Sequence, residues 1–237
     1  MKRLKTALLF LFLSIGTTYG QQHELGFSIG GANYIGDIGR ETYFHPNTLS
    51  GGFYYTSVIN PWFSGRINFN YFSLKADDAE SESLGRQARG LSFSTTSFDM
   101  ALGIEYKFFP RNPYVRQKGA HRFSPYIFSG LSMGYFNGQL IEKGQKAMSF
   151  DGASLSIPML FGVKYKIGEH FLIGIETGAY YHFTDNLDGT AARYGERATF
   201  VKGGVLPTTN TNSNDWHTFS SISLIYTFGD LRCYFGF

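Results

Sequence analysis

The sequence alternates apolar and polar residues with a period of two over unusually long stretches. Successive side chains of a β-strand point to opposite faces, so such a stretch predicts a strand with one apolar face. Soluble strands usually run about 5–6 residues, whereas a tilted strand needs about 9–11 residues to cross the hydrocarbon of a membrane. The length therefore favours membrane-crossing strands. The pattern is clearest over residues 63–71, 98–108, 155–167 and 171–183.

Four weaker segments complete the pattern, near residues 24–35, 48–58, 126–136 and 216–228. The total of eight is even, as single-chain outer-membrane barrels require. Charged residues make up only 16% of the chain and aromatic residues 18%, which suits a wall that faces lipid and anchors at membrane interfaces. The sequence predicts an all-β fold, an eight-stranded antiparallel transmembrane β-barrel of the outer-membrane type.

The N-terminus has the three parts of a secretory signal. Lys2, Arg3 and Lys5 precede the short apolar run 7–15, and small residues follow at 18 and 20. We therefore expect a signal peptide over 1–20 and a mature barrel domain over 21–237, with a C-terminal tail at 229–237. After residue 20 no apolar stretch reaches the length of a membrane-spanning helix.

The predicted connections fall into two sets. Tight turns are expected at 59–61 and 168–170, and long polar loops at 36–47, 75–90, 137–152 and 185–215. In outer-membrane barrels the short connections are periplasmic and the long ones extracellular, which predicts a multi-pass barrel in the cell outer membrane with both termini in the periplasm.

One connection departs from this rule. The segment 109–122 should be periplasmic, yet it is long, basic and free of acidic residues. Arginine grips carboxylates through two hydrogen bonds, so this turn is a candidate docking surface for an acidic partner. The lone cysteine, in the tail, cannot form an internal disulfide and could link to a partner. The predicted partner-binding residues are Arg111, Tyr114, Arg116, Lys118, Arg122 and Cys233.

Several charged residues alternate with the apolar series and should therefore point into the barrel. The interior of an eight-stranded barrel is just wide enough for side chains to fill, so these charges must pair with one another. We expect a salt-bridged filling without an open pore. The predicted interior charge network is Arg66, Asp99, Glu105, Lys107, Lys164 and Glu176.

Other chemistry receives weaker support. Glu176 and His182 share one strand face, as in a lipid hydrolase, but they point inward, whereas a lipid-cleaving group must face lipid. We therefore expect no enzyme activity, no catalytic residues and no small-molecule substrate. The net charge of +3 is too weak to argue for nucleic-acid binding, and we expect no nucleic-acid partner.

Two acidic loops invite a metal hypothesis, but neither has the ligand spacing of a hand-type calcium site. We expect both to be solvated loops, and we expect no metal or other cofactor. The acidic residues are Asp77, Asp78, Glu80 and Glu82 in one loop and Asp185 and Asp188 in the other.

Several motifs resemble the PorG family, and the resemblance covers nearly all of the mature chain. The opening motif is Glu-Leu-Gly-Phe-Ser-Ile-Gly-Gly-Ala-Asn-Tyr-Ile-Gly-Asp-Ile-Gly at 24–39. The others are Phe-Ser-Pro-Tyr-Ile-Phe-Ser-Gly at 123–130, Ser-Ile-Pro at 156–158, Thr-Asp-Asn-Leu-Asp-Gly at 184–189, and Tyr-Thr-Phe-Gly-Asp at 226–230 with Arg-Cys-Tyr at 232–234.

The resemblance implies an outer-membrane barrel of the type IX protein secretion system that anchors or contacts a periplasmic ring of PorK-like and PorN-like proteins. It implies no catalytic residues. The alternative is a stand-alone small outer-membrane barrel for adhesion or envelope integrity. In either case the lipids of the outer membrane surround the protein. An adhesin would carry its extra sequence in extracellular loops, whereas a ring anchor needs periplasmic surface.

Overall fold

The computed structural model describes residues 22–40, 45–109, 122–184, 187–190 and 214–229. Eight strands each pair antiparallel with the next, and β8 pairs with β1, which closes the sheet into a barrel. The predicted fold class is confirmed. The strands are β1 (His23–Ile35), β2 (Thr48–Val58), β3 (Phe63–Asp77), β4 (Leu91–Lys107), β5 (Phe123–Glu142), β6 (Gln145–Lys166), β7 (Phe171–His182) and β8 (Trp216–Phe228).

The alternation in the sequence becomes an inner and an outer face. On β4, Ile104 is 57% exposed, whereas the next residue, Glu105, is fully buried. On β1, Ile29 is 65% exposed while Glu24 is fully buried. Large apolar side chains thus cover the outer wall, while the inside holds buried polar, charged and aromatic side chains. This is the arrangement of a barrel whose outside meets lipid.

The two rims differ in their connections. At the rim that we call the turn rim, Asn60 caps the tight turn between β2 and β3, because its Oδ1 accepts the backbone N–H groups of Trp62 at 2.9 Å and Phe63 at 2.7 Å. The second tight turn closes at the same rim, where the N–H of Ile167 donates to the carbonyl of Phe171 at 3.0 Å. Both predicted turns are confirmed. We call the opposite end the loop rim.

The hairpin of β5 and β6, the longest in the barrel, stands where a long loop was expected at 137–152. β5 continues to Glu142 and β6 begins at Gln145, so residues 137–152 form two strands and a tight turn rather than an irregular loop. The connecting residues Lys143 and Gly144 both have positive φ, at 48° and 80°, as a two-residue hairpin turn requires. The prediction of a long loop was wrong because the strands continue beyond the apolar band, where their outward residues become polar.

Between β3 and β4 the chain forms two short helices, a 3-10 helix at Asp78–Glu80 and α1 at Leu84–Arg89. Neither helix in the described residues has the length and apolar content that crossing a membrane requires. Both lie at the loop rim, next to the ends of β3 and β4.

The interior has two layers, both built from the inward positions of the strands. Towards the loop rim it is aromatic, with Phe72 packed against Tyr180, His217 and Phe219 at ring-centroid distances of 5.3, 4.5 and 5.4 Å. Towards the turn rim it holds ionised side chains, which the next section describes.

Candidate functional site: a charged interior and a loop plug

Arg66 lies at the centre of the charged layer. Its guanidinium donates to both oxygens of Glu176, at 2.5 Å from Nη1 to Oε2 and 3.2 Å from Nη2 to Oε1. Its Nε donates to Oδ1 of Asn68 at 2.6 Å, and Tyr126 donates its hydroxyl to Oε2 of Glu176 at 2.7 Å. The ring of Tyr54 lies 3.8 Å from the guanidinium carbon, in cation–π contact. Every charged member of this group is at least 95% buried.

Lys164 links a second set of carboxylates. Its Nζ lies 2.6 Å from Oε2 of Glu24 and 2.6 Å from Oε1 of Glu105. Glu105 also lies 3.6 Å from Nη1 of Arg66, so it joins the two halves of the layer. Residues from β1, β3, β4, β6 and β7 thereby meet on the barrel axis. Such a layer ties opposite walls together and fills the space through which solutes would otherwise pass.

The structure brings together four of the six residues expected in the interior network, namely Arg66, Glu105, Lys164 and Glu176. Lys107 is also inward and buried, near the turn rim. Asp99 is inward and buried too, but it is six residues from Glu105 on the same strand, about 20 Å away at 3.3 Å per residue. It instead accepts a hydrogen bond from the hydroxyl of Ser97.

Glu24 is the member of this layer that sequence reasoning missed. The signal was present, because Leu25, Phe27 and Ile29 define an outward series and Glu24 occupies the alternate register.

The loop rim is closed by residues that follow β1 and β7. Ile38 and Leu187 are fully buried against the aromatic layer, and the hydroxyl of Thr95 donates to the carbonyl of Leu187 at 2.8 Å. The hydroxyl of Tyr34 lies 2.8 Å from Oδ2 of Asp188 and 2.5 Å from Oδ1 of Asp215. These contacts form a loop plug over the barrel mouth.

One acidic residue of this plug, Asp188, contradicts the expectation of a solvated loop. Asp188 is fully buried rather than solvated, and its Oδ1 accepts both the N–H and the hydroxyl of Thr190, at 2.8 and 2.7 Å. Burial raises the pKa of Asp188, against the effect of the hydrogen bonds from Thr190 and Tyr34. Asp185 lies outside the described residues.

Asp78 contradicts the expectation of a solvated loop for the other acidic segment. It is fully buried and pairs with Arg89 of α1, at 2.8 Å to Nε and 2.9 Å to Nη2. It also accepts the backbone N–H groups of Gly39 at 3.2 Å and Leu91 at 3.0 Å. Burial opposes the charge on Arg89, but the hydrogen bond and charge of Asp78 outweigh it and raise the pKa of the guanidinium.

Glu176 and His182 do not form a catalytic pair. Glu176 is held by Arg66 and Tyr126, whereas His182 lies 2.6 Å from the hydroxyl of Ser154 through Nδ1 and 2.8 Å from Nδ1 of His217 through Nε2. This Ser–His–His chain is buried inside the wall, away from lipid. Within the described part of the chain, no group of three or more His, Cys, Asp and Glu side chains is arranged to hold a metal ion.

Of the predicted partner-binding residues, the structure describes one. Arg122 is exposed at the turn rim, where its carbonyl accepts the N–H of Lys166 at 2.8 Å. The signal peptide 1–20 and the tail residues 230–237 also lie outside the described residues, as do Arg111, Tyr114, Arg116, Lys118 and Cys233.

The filled interior predicts the absence of porin-like conductance. Arg66, Lys164 and their carboxylates occupy the turn-rim half of the interior, while Phe72 and its aromatic neighbours occupy the other half. The protein reconstituted in a planar lipid bilayer should therefore show no large, steady openings, with a general porin recorded in the same bilayer as positive control. Steady openings from the purified barrel would contradict a sealed interior.

Together, the closed eight-stranded wall, its apolar exterior and the charged layer inside it define an outer-membrane β-barrel. The chain belongs to the family described as a domain of unknown function, DUF6089, whose profile matches residues 2–236. No curated protein sequence matches the chain.

Several solved outer-membrane proteins align with the chain, and the one with a TM-score of 0.50 supports the fold. A major outer membrane protein from Thermus thermophilus aligns with a TM-score of 0.50 and 11% identity, over 87% of this chain and 99% of that one. Ail, the attachment invasion locus protein of Yersinia pestis, gives a TM-score of 0.47 at 11% identity, over 88% of this chain and 99% of that one. Neisserial surface protein A gives 0.44 at 11% identity, over 87% and 97%. At these identities the likeness concerns the fold alone.

Proposed function

We propose that the protein is an outer-membrane component of the type IX secretion system, a scaffold that anchors or contacts a periplasmic ring. The proposal draws on the PorG-like motifs at both ends of the barrel sequence. It also draws on the filled interior, because a barrel occupied by Arg66, Lys164 and three carboxylates is suited to holding other proteins rather than to passing solutes.

The proposal places the turn rim in the periplasm. His23 of β1 pairs with Phe228 of β8 at this rim, so the barrel domain begins and ends there, beside the two tight turns. Short turns face the periplasm in outer-membrane barrels. In this orientation the barrel begins and ends on the periplasmic side, from which the exported chain is delivered.

The observation that carries the proposal is the position of the basic segment 109–122. Its two described ends, Phe109 and Arg122, lie at the turn rim, where Ser124 donates to the carbonyl of Phe109 at 3.4 Å. Both described ends thus lie at the rim where β1 begins and β8 ends, and we infer that the four cations of the segment face this side. They provide positive charge, without a neighbouring acid in the segment, for an acidic partner.

Removing these cations tests the proposal. The variant changes Arg111, Arg116, Lys118 and Arg122 together to Gln. We expect the barrel to insert normally, because its inner and outer faces are untouched, while co-purification of the periplasmic ring proteins falls and secretion through the type IX route falls with it. In the wild type this co-purification should weaken as salt rises, since exposed charges are screened over about 8–10 Å.

The matched control removes four exposed cations from the loop rim. Arg40, Lys75, Lys143 and Lys146 are all exposed, and their change to Gln lowers the net charge equally. This control should keep its partners and its secretion. If the turn-rim variant retains both, the basic segment is not the docking surface. If deletion of the whole protein leaves secretion normal, the scaffold proposal itself is wrong.

One observation favours the alternative, a stand-alone barrel for adhesion or envelope integrity. The β5–β6 hairpin carries ordered structure well past β7, since β6 pairs with β7 only from Ser156 onward. This places additional surface at the loop rim, as an adhesin would require. Normal secretion in a deletion strain, together with lost surface binding or increased sensitivity to detergent, would support this function instead.

A further inference from the structure

The outer wall carries an apolar groove of about 590 Å³ across strands β2 to β6. Its borders are large outward side chains, including Phe53, Phe69, Phe98 and Met133, each between 40% and 63% exposed. Ala153 on β6 is also part of its lining. Because the groove opens on the lipid-facing side of the wall, its occupant must come from the membrane.

The pairing register shows where the groove ends. One row across the sheet contains Tyr71, Phe98, Tyr135 and Ala153. The next outward row towards the loop rim is entirely polar, and so is the row after it. These two rows consist of Ser73, Thr96, Asn137 and Asp151, then Lys75, Ser94, Gln139 and Ser149.

The apolar groove and the polar rows are directly joined. The hydroxyl of Tyr135, in the last groove row, donates to Oδ2 of Asp151 in the first polar row at 2.8 Å. We call the two polar rows the hydroxyl–amide face. It offers hydroxyl and amide groups that can both donate and accept hydrogen bonds, and one cation, the exposed Lys75.

We propose that this surface binds a glycolipid of the outer leaflet. An acyl chain would fill the groove, the sugars of the headgroup would hydrogen-bond to the hydroxyl–amide face, and an anionic group would lie near Lys75. The placement in the outer leaflet rests on the orientation proposed above, with the loop rim extracellular. The chemistry of the surface itself does not depend on that orientation.

Two features argue for a glycolipid over an ordinary phospholipid. A small phospholipid headgroup would reach the Tyr135–Asp151 boundary, whereas two rows of polar side chains continue beyond it. The two rows span about 7 Å along the strands and about 14 Å across four strands, which matches the dimensions of two or three sugar rings. The acidic member, Asp151, is already bonded to Tyr135, which leaves the cation Lys75 as the site for a phosphate.

The test is native mass spectrometry of the folded barrel in mild detergent, where membrane orientation plays no part. The probes are rough lipopolysaccharide and phosphatidylethanolamine, each titrated separately. We expect tighter binding of lipopolysaccharide. The variant Ala153→Phe, which adds a ring inside the groove, should lower binding of both lipids. Lys75→Gln should weaken lipopolysaccharide by about tenfold, the equivalent of 1.4 kcal/mol, and leave phosphatidylethanolamine unchanged.

Ala179→Phe is the matched control, because Ala179 lies on the outward face of β7, outside the groove. It should bind both lipids as the wild type does, and heat-modifiable migration on gels verifies that each variant is folded. Equal affinity of the wild type for the two lipids would overturn the proposal, as would equal binding by Ala153→Phe and Ala179→Phe. A doubled protein mass that Ala153→Phe abolishes would show a second copy in the groove instead.

Discussion

Replacing Arg66 by methionine is expected to destabilise the folded barrel by about 3–5 kcal/mol. The guanidinium is 2% exposed and bonds both oxygens of Glu176, so its removal leaves a buried carboxylate without its cation. Glu105 also loses a charge 3.6 Å away, although Lys164 still pairs with it. The change therefore leaves uncompensated negative charge in the turn-rim half of the interior.

Urea titration of the barrel in lipid vesicles measures this effect, with the fluorescence of Trp62 and Trp216 as reporter. The double variant Arg66→Met with Glu176→Met should recover part of the lost stability, since replacing a whole buried pair costs less than breaking it. Lys75→Met serves as the control, because Lys75 is exposed at the loop rim and should shift stability little. Equal stability of Arg66→Met and the wild type would contradict the buried network.

Replacing Ile175 by arginine is expected to cost about 2–4 kcal/mol and to reduce insertion. Ile175 is 60% exposed on β7, where its pairing partners Val163 and Ile222 are also outward and apolar. It is therefore placed in the apolar band of the wall. An arginine there would face hydrocarbon, with no carboxylate opposite it in the adjoining strands.

Ile167→Arg is the matched control. Ile167 is similarly exposed, at 52%, but it lies at the turn rim, where arginine costs about 0–1 kcal/mol because it reaches the interface. Outer-membrane fractionation and heat-modifiable migration compare the two variants. If both variants insert equally well, the outward residues of β7 do not face lipid.

The sequence alone predicted the wall because local alternation determines which face of a strand is apolar. Ile104 and Glu105 show this directly, since adjacent residues differ from 57% exposed to fully buried. The even strand count and the six inward charges followed from the same periodicity, and the two tight turns from the Pro, Gly and Asn residues in them. These features depend only on residues next to one another in the chain.

The loop rim was less predictable because its structure depends on contacts between distant residues. Asp188 is buried and accepts a hydrogen bond from the hydroxyl of Tyr34, which is 154 residues away in the chain. Asp78 accepts hydrogen bonds from the N–H of Gly39 and from Arg89. Nothing in the neighbouring sequence distinguishes such residues from solvated acids. The polar residues of 137–152 likewise suggested a loop, although they lie on strands that extend past the membrane.

In the scaffold function that we propose, the filled barrel binds its partner at the turn rim, on the periplasmic side. The turn rim supplies Arg122 and the ends of the basic segment, while the loop rim is closed by Ile38 and Leu187. Contact with a ring protein should therefore be confined to the turn rim.

Site-specific photo-crosslinking in cells tests this most directly. A benzophenone amino acid replaces Arg122 at the turn rim in one strain and Lys143 at the tip of the β5–β6 hairpin in another, both exposed positions. We expect crosslinks from position 122 to a periplasmic ring protein and none to that protein from position 143. Crosslinks to the ring protein from 143, or none from 122 in a correctly inserted barrel, would contradict it.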